Sequence, residues 1–231
     1  KECLITANIP LNSLDQRDAF SSELLNNPNI KAVAWSQDRM VAESRMEWGR
    51  WHHGEQMSIS VMPVSWNFLQ VMGIEVVEGR DFLPSDEKGD GAIILNEYAK
   101  KKYNLNLEEV IEWNGKPFPA TGFCRDFHFE PLHYESEAFA FYIYDSEIQN
   151  RYFTTPHLTV RTIENADIKA VFDAIRVTTD NILPDYGGQK VKINFFDEEL
   201  GENYEKEQQL TTTISLFTLL AIIISLMGVL G

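Results

Sequence analysis

The side chains in this sequence that could perform chemistry are acidic pairs, histidines and cysteines. Thirty-five Asp and Glu residues among 231 make neighbouring carboxylates common by chance, so such pairs do not indicate a glycosidase. The acidic runs at 86–87, 108–109 and 197–199 are therefore predicted to be solvated faces or helix starts.

Histidines occur in two groups that could hold a metal ion. The two at 52–53 are adjacent, so on a strand their side chains point apart, and no third ligand lies at a suitable spacing. His128 and His133 lie near Asp126, but Pro131 breaks any helix that would align them. The sequence therefore predicts no metal ligand.

The two cysteines, Cys3 and Cys124, lie far apart and form no CxxC pair, which excludes a cysteine-rich zinc module. The two cysteines could form a disulfide in an oxidising compartment, but two buried free thiols are the favoured interpretation. The chain also lacks a G-x-S-x-G elbow, a P-loop and a dinucleotide-binding glycine pattern. We therefore expect no catalytic residue, no cofactor-binding residue and no cofactor.

Charge and aromatic content narrow the class of partner. The net charge is −15, and the most basic run is only Lys100–Lys102, which argues against nucleic acid. The five tryptophans could form a carbohydrate platform, but a mixture of core and interface residues is the commoner arrangement.

The C-terminal end differs from the rest of the chain. No formal charge follows Glu207, and Ile214–Leu230 reads ISLFTLLAIIISLMGVL. Residues 214–231 as a helix would be about 27 Å long, close to the roughly 30 Å hydrocarbon core of a bilayer. They are predicted to begin a transmembrane helix. The predicted helix carries small residues at Ala221, Ser225, Gly228 and Gly231. They either allow close packing against other membrane helices or are incidental in a lipid-facing helix.

Two strand–helix–strand patterns stand at opposite ends of the soluble part. Lys1–Ile9 and Ile30–Ser36 read as strands, and between them Ser13 is expected to cap a helix that ends before Pro28.

The second pattern begins with an alternating strand at His157–Ile163. Asn165 is expected to cap a helix that stops at Pro184, and Val191–Phe195 alternates as a further strand. Paired together, the two units would form a split βαβ sandwich with the helices over one face of a mixed sheet.

The middle of the chain has shorter elements. A hairpin is expected at 44–64, a short helix capped by Ser65 and ended by Gly73, and a helix at 97–103 capped by Asn96. Asn114-Gly115 is a strong hairpin signal.

We therefore predict an α+β fold: a two-lobed domain followed by a transmembrane helix. Residues 1–44 and 151–205 would form the split βαβ lobe, and 45–150 the inserted mixed α/β lobe. Residues 197–213, which lack proline, would form a stalk helix that conveys movement.

Several stretches resemble the periplasmic core domain of MacB-like ABC-transporter permeases of the FtsX type, especially those of Bacteroidetes. Val64–Phe82 (VSWNFLQVMGIEVVEGRDF) is similar to that domain's "fF..mGi.l..GR.F" signature. Ala92–Glu97 resembles its "vilNe" step, Gly122–Leu132 its "GvvkDFhf..L" segment and Phe195–Leu210 its "FlDe.f...Y..E" stalk. The apolar run that follows resembles the family's second transmembrane helix.

This resemblance implies a non-catalytic domain in an inner-membrane permease, with residues 1 to about 207 in the periplasm. It also implies a second permease subunit, a separate cytoplasmic ABC ATPase, export or efflux, and mechanotransmission through the stalk to a periplasmic or outer-membrane partner. Gly73, Gly79 and the run Asp126–His128 would determine the fold, with Phe127 in the core and Asp126 bonded to backbone. The alternatives are a membrane-tethered extracellular ligand sensor and an anchored hydrolase.

Overall fold

The described part of the chain, seen in a computed structural model, folds into two β-sheets flanked by helices. The structure describes residues 1–40, 46–52, 55–107, 110–113, 116–127, 137–144 and 157–201, with single positions 214, 217, 218, 221 and 225. The strands are β1 (Leu4–Asn8), β2 (Ile30–Ser36), β3 (Met46–His52), β4 (Glu55–Pro63), β5 (Val76–Gly79), β6 (Ala92–Asn96), β7 (Val110–Trp113), β8 (Lys116–Cys124), β9 (Phe139–Ile143), β10 (His157–Thr162) and β11 (Ile193–Phe195). The helices with both ends described are α1 (Leu14–Leu25), α2 (Phe68–Met72), α3 (Glu97–Tyr103) and α4 (Ile168–Ile182).

The first sheet, here called the terminal sheet, has the strand order β11-β1-β10-β2. The two strand–helix–strand units therefore share one sheet, as predicted. Every neighbouring pair is antiparallel, so the expectation of a mixed sheet was wrong. The crossover through α1 leaves a gap between β1 and β2, and β10 fills that gap in the opposite direction.

Side chains that alternate along the strands bury one face of the terminal sheet against α1 and α4. Phe20 of α1 is fully buried and meets the Trp35 ring edge-on, with centroids 5.6 Å apart. The members of this core include Ile5, Ala7, Leu24, Val33, Leu158, Val160, Val171 and Ile175.

Of the caps predicted for the two long helices, one is confirmed and one is wrong. The Ser13 side chain accepts a hydrogen bond from the Gln16 N–H, which confirms the predicted start of α1. At α4 the expected cap, Asn165, was wrong. Asn165 adopts a positive φ of 54°, and Asp167 caps the helix by accepting from the Ala170 N–H.

The second sheet, here called the central sheet, has the order β3-β4-β9-β6-β8-β5, and β7 pairs with the first half of β8. It is mixed, because β4 pairs with β9 and β6 with β8 in parallel. The predicted hairpin across Asn114-Gly115 is present in β7 and β8, although these two residues lie outside the described ones. Both faces of the sheet are buried, with α3 on the outer face.

The predicted short helices are present, with one cap corrected. Gly73 ends α2 in the left-handed region at φ 76°, where glycine carries no Cβ penalty. Ser65 was wrong as the cap of α2, because its hydroxyl instead accepts from the backbone N–H of Trp35. Asn96 caps α3 as predicted.

The inner face of the central sheet packs toward the terminal sheet through one apolar cluster. Phe68 of α2 and Phe141 of β9 are fully buried there. Ala34 of β2 belongs to the same cluster, so the two sheets share a core. The lobe boundaries at 44–45 and 150–151 fall on undescribed residues and stay a prediction.

Only the first part of the predicted stalk can be compared with the structure. Residues 196–201 are helical directly after β11, and residues 202–213 lie outside the described part. Of the predicted membrane segment 214–231, five single positions are described, all helical. Across the described residues, no helix is both long and apolar enough to cross a membrane.

Candidate functional site

The free edge of β2 is where the central part of the chain attaches to the terminal sheet. Trp35 exchanges two hydrogen bonds with Ser65: its N–H donates to Oγ at 2.9 Å, and its carbonyl accepts from the Ser65 N–H at 2.8 Å. The Asn67 side-chain amide donates to the Val33 carbonyl at 2.7 Å. The segment before α2 therefore covers an edge that would otherwise expose unpaired backbone groups.

A buried ion pair adds a second attachment. Arg17 of α1 donates from Nη1 and Nη2 to both carboxylate oxygens of Glu87, at 3.0 and 2.9 Å. Glu87 Oε1 also accepts from the backbone N–H of Trp66. One carboxylate thus links α1 of the terminal unit, the turn at Asp86–Lys88 and the segment before α2.

The sequence interpretation missed Arg17, and it assigned Glu87 to a solvated face or a helix start; Glu87 does lie in a short helical turn, but its side chain is largely buried against Arg17. The available signal was the position of Arg17, three residues before Phe20 and seven before Leu24, which places a charge on the apolar stripe of α1. A charged side chain on a buried stripe requires a partner. Its identity depends on tertiary structure.

The turn that carries Glu87 is itself held in shape. Arg80 donates two hydrogen bonds to the Asp86 carboxylate, at 2.8 and 2.9 Å, and Asp86 also accepts from the Leu83 N–H. Phe82 in the same loop is buried in the core shared by the two sheets. Burial raises the pKa of Asp81, although a hydrogen bond from the Phe82 N–H opposes that shift.

The helical segment 196–201 starts inside this shared core. Phe196 is 4% exposed and Leu200 packs against the same cluster. Glu199 accepts a hydrogen bond from the Asn194 side chain at 3.0 Å. The base of the predicted stalk is therefore fixed to the terminal sheet and to the core beneath it.

The first and last strands of the terminal sheet are neighbours. β1 and β11 are antiparallel neighbours with Ile5 opposite Phe195, so the start of β1 and the end of β11 lie at the same sheet end. Lys1 Nζ and Asp197 Oδ2 are 3.8 Å apart on the surface.

Two predicted fold-determining residues take the expected roles. Asp126 accepts a hydrogen bond from the backbone N–H of Tyr98 at 2.9 Å. Phe127 packs edge-on against Phe139 with centroids 5.2 Å apart.

The histidine groups considered as metal sites fall largely outside the described residues, which include neither 53 nor 128–136. Within the described residues, no group of three His, Cys, Asp or Glu side chains could hold a metal ion. Cys3 and Cys124 are free thiols; Cys124 is buried as expected, whereas Cys3 is only half-buried. Burial raises the pKa of the Cys124 thiol to about 12, so it is a poor nucleophile at neutral pH.

The fold and this junction define a class: an α+β domain whose two chain ends build one sheet and whose middle builds another. The MacB-like periplasmic core domain family matches residues 5–178. The chain belongs to that family, and is thus the extracytoplasmic domain of a MacB- and FtsX-like ABC-type transporter permease. No curated protein matches the chain in sequence.

Solved structures show the same fold at low sequence identity. The periplasmic region of MacB from Actinobacillus actinomycetemcomitans has a TM-score of 0.60 and 14% identity, over 87% of this chain and 92% of that one. The extracellular domain of the noncanonic ABC-type transporter YknZ from Gram-positive bacteria has a TM-score of 0.56 and 17% identity, over 82% and 99%. A domain of a putative permease from Porphyromonas gingivalis has 0.52 and 9%, over 84% and 88%.

Proposed function

We propose that this domain transmits movement across the membrane and performs no catalysis itself. Nucleotide-driven motion of a separate cytoplasmic ABC ATPase would reach it through the stalk at 197–213. The domain would then act on exported cargo or on a periplasmic or outer-membrane partner. A second permease subunit would complete a dimer.

The observation that carries this proposal is the burial of Phe196. A helix that begins with a side chain in the shared core cannot tilt without displacing that core, because packed interiors do not deform continuously. A displacement of the stalk would therefore move the terminal sheet.

The junction described above supports the same role. Backbone hydrogen bonds at Trp35, the Arg17–Glu87 pair and the shared core join the terminal sheet to the central part at three separate places. Movement entering at Phe196 would accordingly reach the central sheet with little loss at the boundary.

The membrane placement belongs to the proposal as well. Residues 214–231 would start a transmembrane helix, and residues 1 to about 207 would lie in the periplasm beside the inner membrane.

The stiffness of the stalk provides the test. Four residues would be inserted after Gly201, either Ala-Ala-Ala-Ala or Gly-Ser-Gly-Ser, in the whole permease with its ATPase in lipid nanodiscs. One pair of spin labels, at Lys169 of α4 and Lys101 of α3 in the same subunit, would report the distance between the two sheets. A second pair, at Lys169 in each of the two subunits, would report the distance between subunits. Both distances would be measured with and without ATP.

We expect the nucleotide-dependent change in the Lys169–Lys169 distance between subunits to persist with the alanine insert and to be lost with the glycine–serine insert, because the two inserts have the same number of residues but different stiffness. ATP hydrolysis would continue in both. Equal distance changes in the two variants would contradict transmission through the stalk.

A further inference from the structure

A groove of about 560 Å³ lies where β2, β10 and α2 meet. This volume falls within the range of about 300–1,000 Å³ that is usual for small-molecule sites. Its walls are mainly apolar and include Ala32, Val33, Val71 and the Trp66 side chain. Leu25, which is 50% exposed, stands at its rim.

Arg161 provides a fixed cation in this groove. Its Nε donates to the Val71 carbonyl at 2.7 Å and its Nη1 donates to Glu2 at 3.0 Å. Within the described part of the chain, Nη2 has no hydrogen-bond acceptor. This nitrogen lies beside Gly73, where an added Cβ would come within 3.2 Å of it.

The charges around the groove sum to a positive value. Arg161 lies on β10 and Lys31 on the neighbouring β2, and Glu2, which precedes β1, accepts hydrogen bonds from both cations. Hydrogen bonds from Lys31 and then Arg161 lower the pKa of Glu2, so it is ionised at neutral pH. Two cations and one anion leave a charge of about +1 beside an apolar wall.

A local backbone irregularity places Lys31 there. Ile30 and Ala32 pair with successive residues of β10, so Lys31 is the extra residue of a bulge. Bulges re-aim a side chain and occur often beside functional sites.

We propose that this groove binds a small anionic amphiphile, namely a carboxylate attached to an apolar aliphatic or aromatic body. The carboxylate would accept hydrogen bonds from Arg161 Nη2 and attract Lys31, and the apolar body would lie against Trp66 and Val71. A guanidinium already held by two protein acceptors loses little conformational freedom on binding. The proposal does not depend on the mechanical role of the domain.

The full chain in phosphatidylcholine nanodiscs would be titrated calorimetrically with 4-phenylbutyrate, and with 4-phenylbutylamine and 4-phenylbutanol as matched ligands. We expect saturable binding of the carboxylate, at least about tenfold tighter than either analogue. Equal affinities for the carboxylate and the amine, or no saturable binding of the carboxylate, would overturn the proposal.

Variants locate the site. Lys31→Glu should weaken 4-phenylbutyrate binding at least about tenfold, because the local charge becomes negative. Lys169→Glu makes the same change in net charge on the exposed face of α4 and should leave binding unchanged. Gln70→Trp fills the groove from an exposed position of α2 and should abolish binding.

Circular dichroism and urea midpoints would establish that all three variants are folded. If folded Lys31→Glu and Gln70→Trp bind the carboxylate as the parent does, the ligand lies elsewhere and the proposal is wrong. The same conclusion follows if Lys169→Glu weakens binding as much as Lys31→Glu.

Discussion

Arg17 and Glu87 form two parallel hydrogen bonds, at 3.0 and 2.9 Å, although 70 positions separate them in the chain. Their side chains are only 6% and 12% exposed. A pair at this depth contributes little net stability when intact, but removing one partner leaves a buried uncompensated charge. The pair therefore makes correct docking of the central part on α1 a condition for stability.

Arg17→Met is expected to lower the free energy of unfolding by about 3–5 kcal/mol, because Glu87 would remain charged without its main partner. Urea unfolding followed by tryptophan fluorescence would measure the loss. The double variant Arg17→Met/Glu87→Gln should recover much of it, since the buried charge is removed.

The matched control for that prediction is Arg125→Met. Arg125 forms a 3.0 Å pair with Glu75, but both side chains are more than half exposed. Its loss should cost at most about 1 kcal/mol. Equal costs for Arg17→Met and Arg125→Met would contradict the role given to burial.

Asn96 should be among the costliest caps to remove. Its Oδ1 accepts from the N–H groups of Ala99 and Phe139, both at 3.0 Å, and its Nδ2 donates to the Glu137 carbonyl at 2.8 Å. Asn96→Ala leaves buried backbone groups without partners and is expected to cost about 3 kcal/mol in urea unfolding.

Two comparisons make the Asn96 result interpretable. Asn96→Asp keeps both acceptor interactions and should cost less than Asn96→Ala. Ser13→Ala removes a more exposed cap with one hydrogen bond and should cost about 1 kcal/mol. The interpretation fails if Ser13→Ala and Asn96→Ala destabilise the protein equally.

His157 is expected to make the protein less stable in mild acid. Burial, and then the charge of Arg39, lower its pKa from 6.5 to about 4. The residue is only 7% exposed, and its Nε2 has no hydrogen-bond partner among the described residues. The unfolded state therefore binds a proton first as the pH falls.

The stability due to neutral His157 is complete above its unfolded pKa and is lost progressively from about pH 6.5 to pH 4, in total about 3 kcal/mol. The measurement is the free energy of unfolding against pH for the parent and for His157→Phe. The difference between the two curves should be flat above pH 7 and should change across this window. A constant difference from pH 7 to pH 4 would refute the assignment.

Gly79→Ala should destabilise the protein more than the backbone strain of a positive φ alone would. At Gly79 (φ 77°) an added Cβ would lie 2.4 Å from the Thr121 carbonyl oxygen, whereas at Gly187 (φ 83°) no atom lies within 4 Å. Gly187→Ala should cost about 1–3 kcal/mol from backbone strain alone. Gly79→Ala adds the clash, so its urea midpoint should be clearly lower; equal midpoints would exclude the clash as a contribution.

Local patterns in the sequence predicted much of the secondary structure. Ser13 and Asn96 cap helices because each can reach an N–H three residues on, a purely local geometry. The prediction of Asn165 as a cap was wrong because local geometry does not choose between two nearby candidates. Asn165 and Asp167 both suit a cap or a left-handed turn, and Asp167 takes the cap position.

The sequence by itself determined the alternating faces of the strands, the starts of α1 and α3 and the two strand–helix–strand units, because these depend on neighbours within a few positions. Only the tertiary structure decided which strand fills the gap between β1 and β2, which carboxylate meets Arg17, and that Arg161 faces an apolar groove. Periodicity shows that a face is buried but not what buries it, and contacts across 70 or 159 positions are selected by packing of the whole domain.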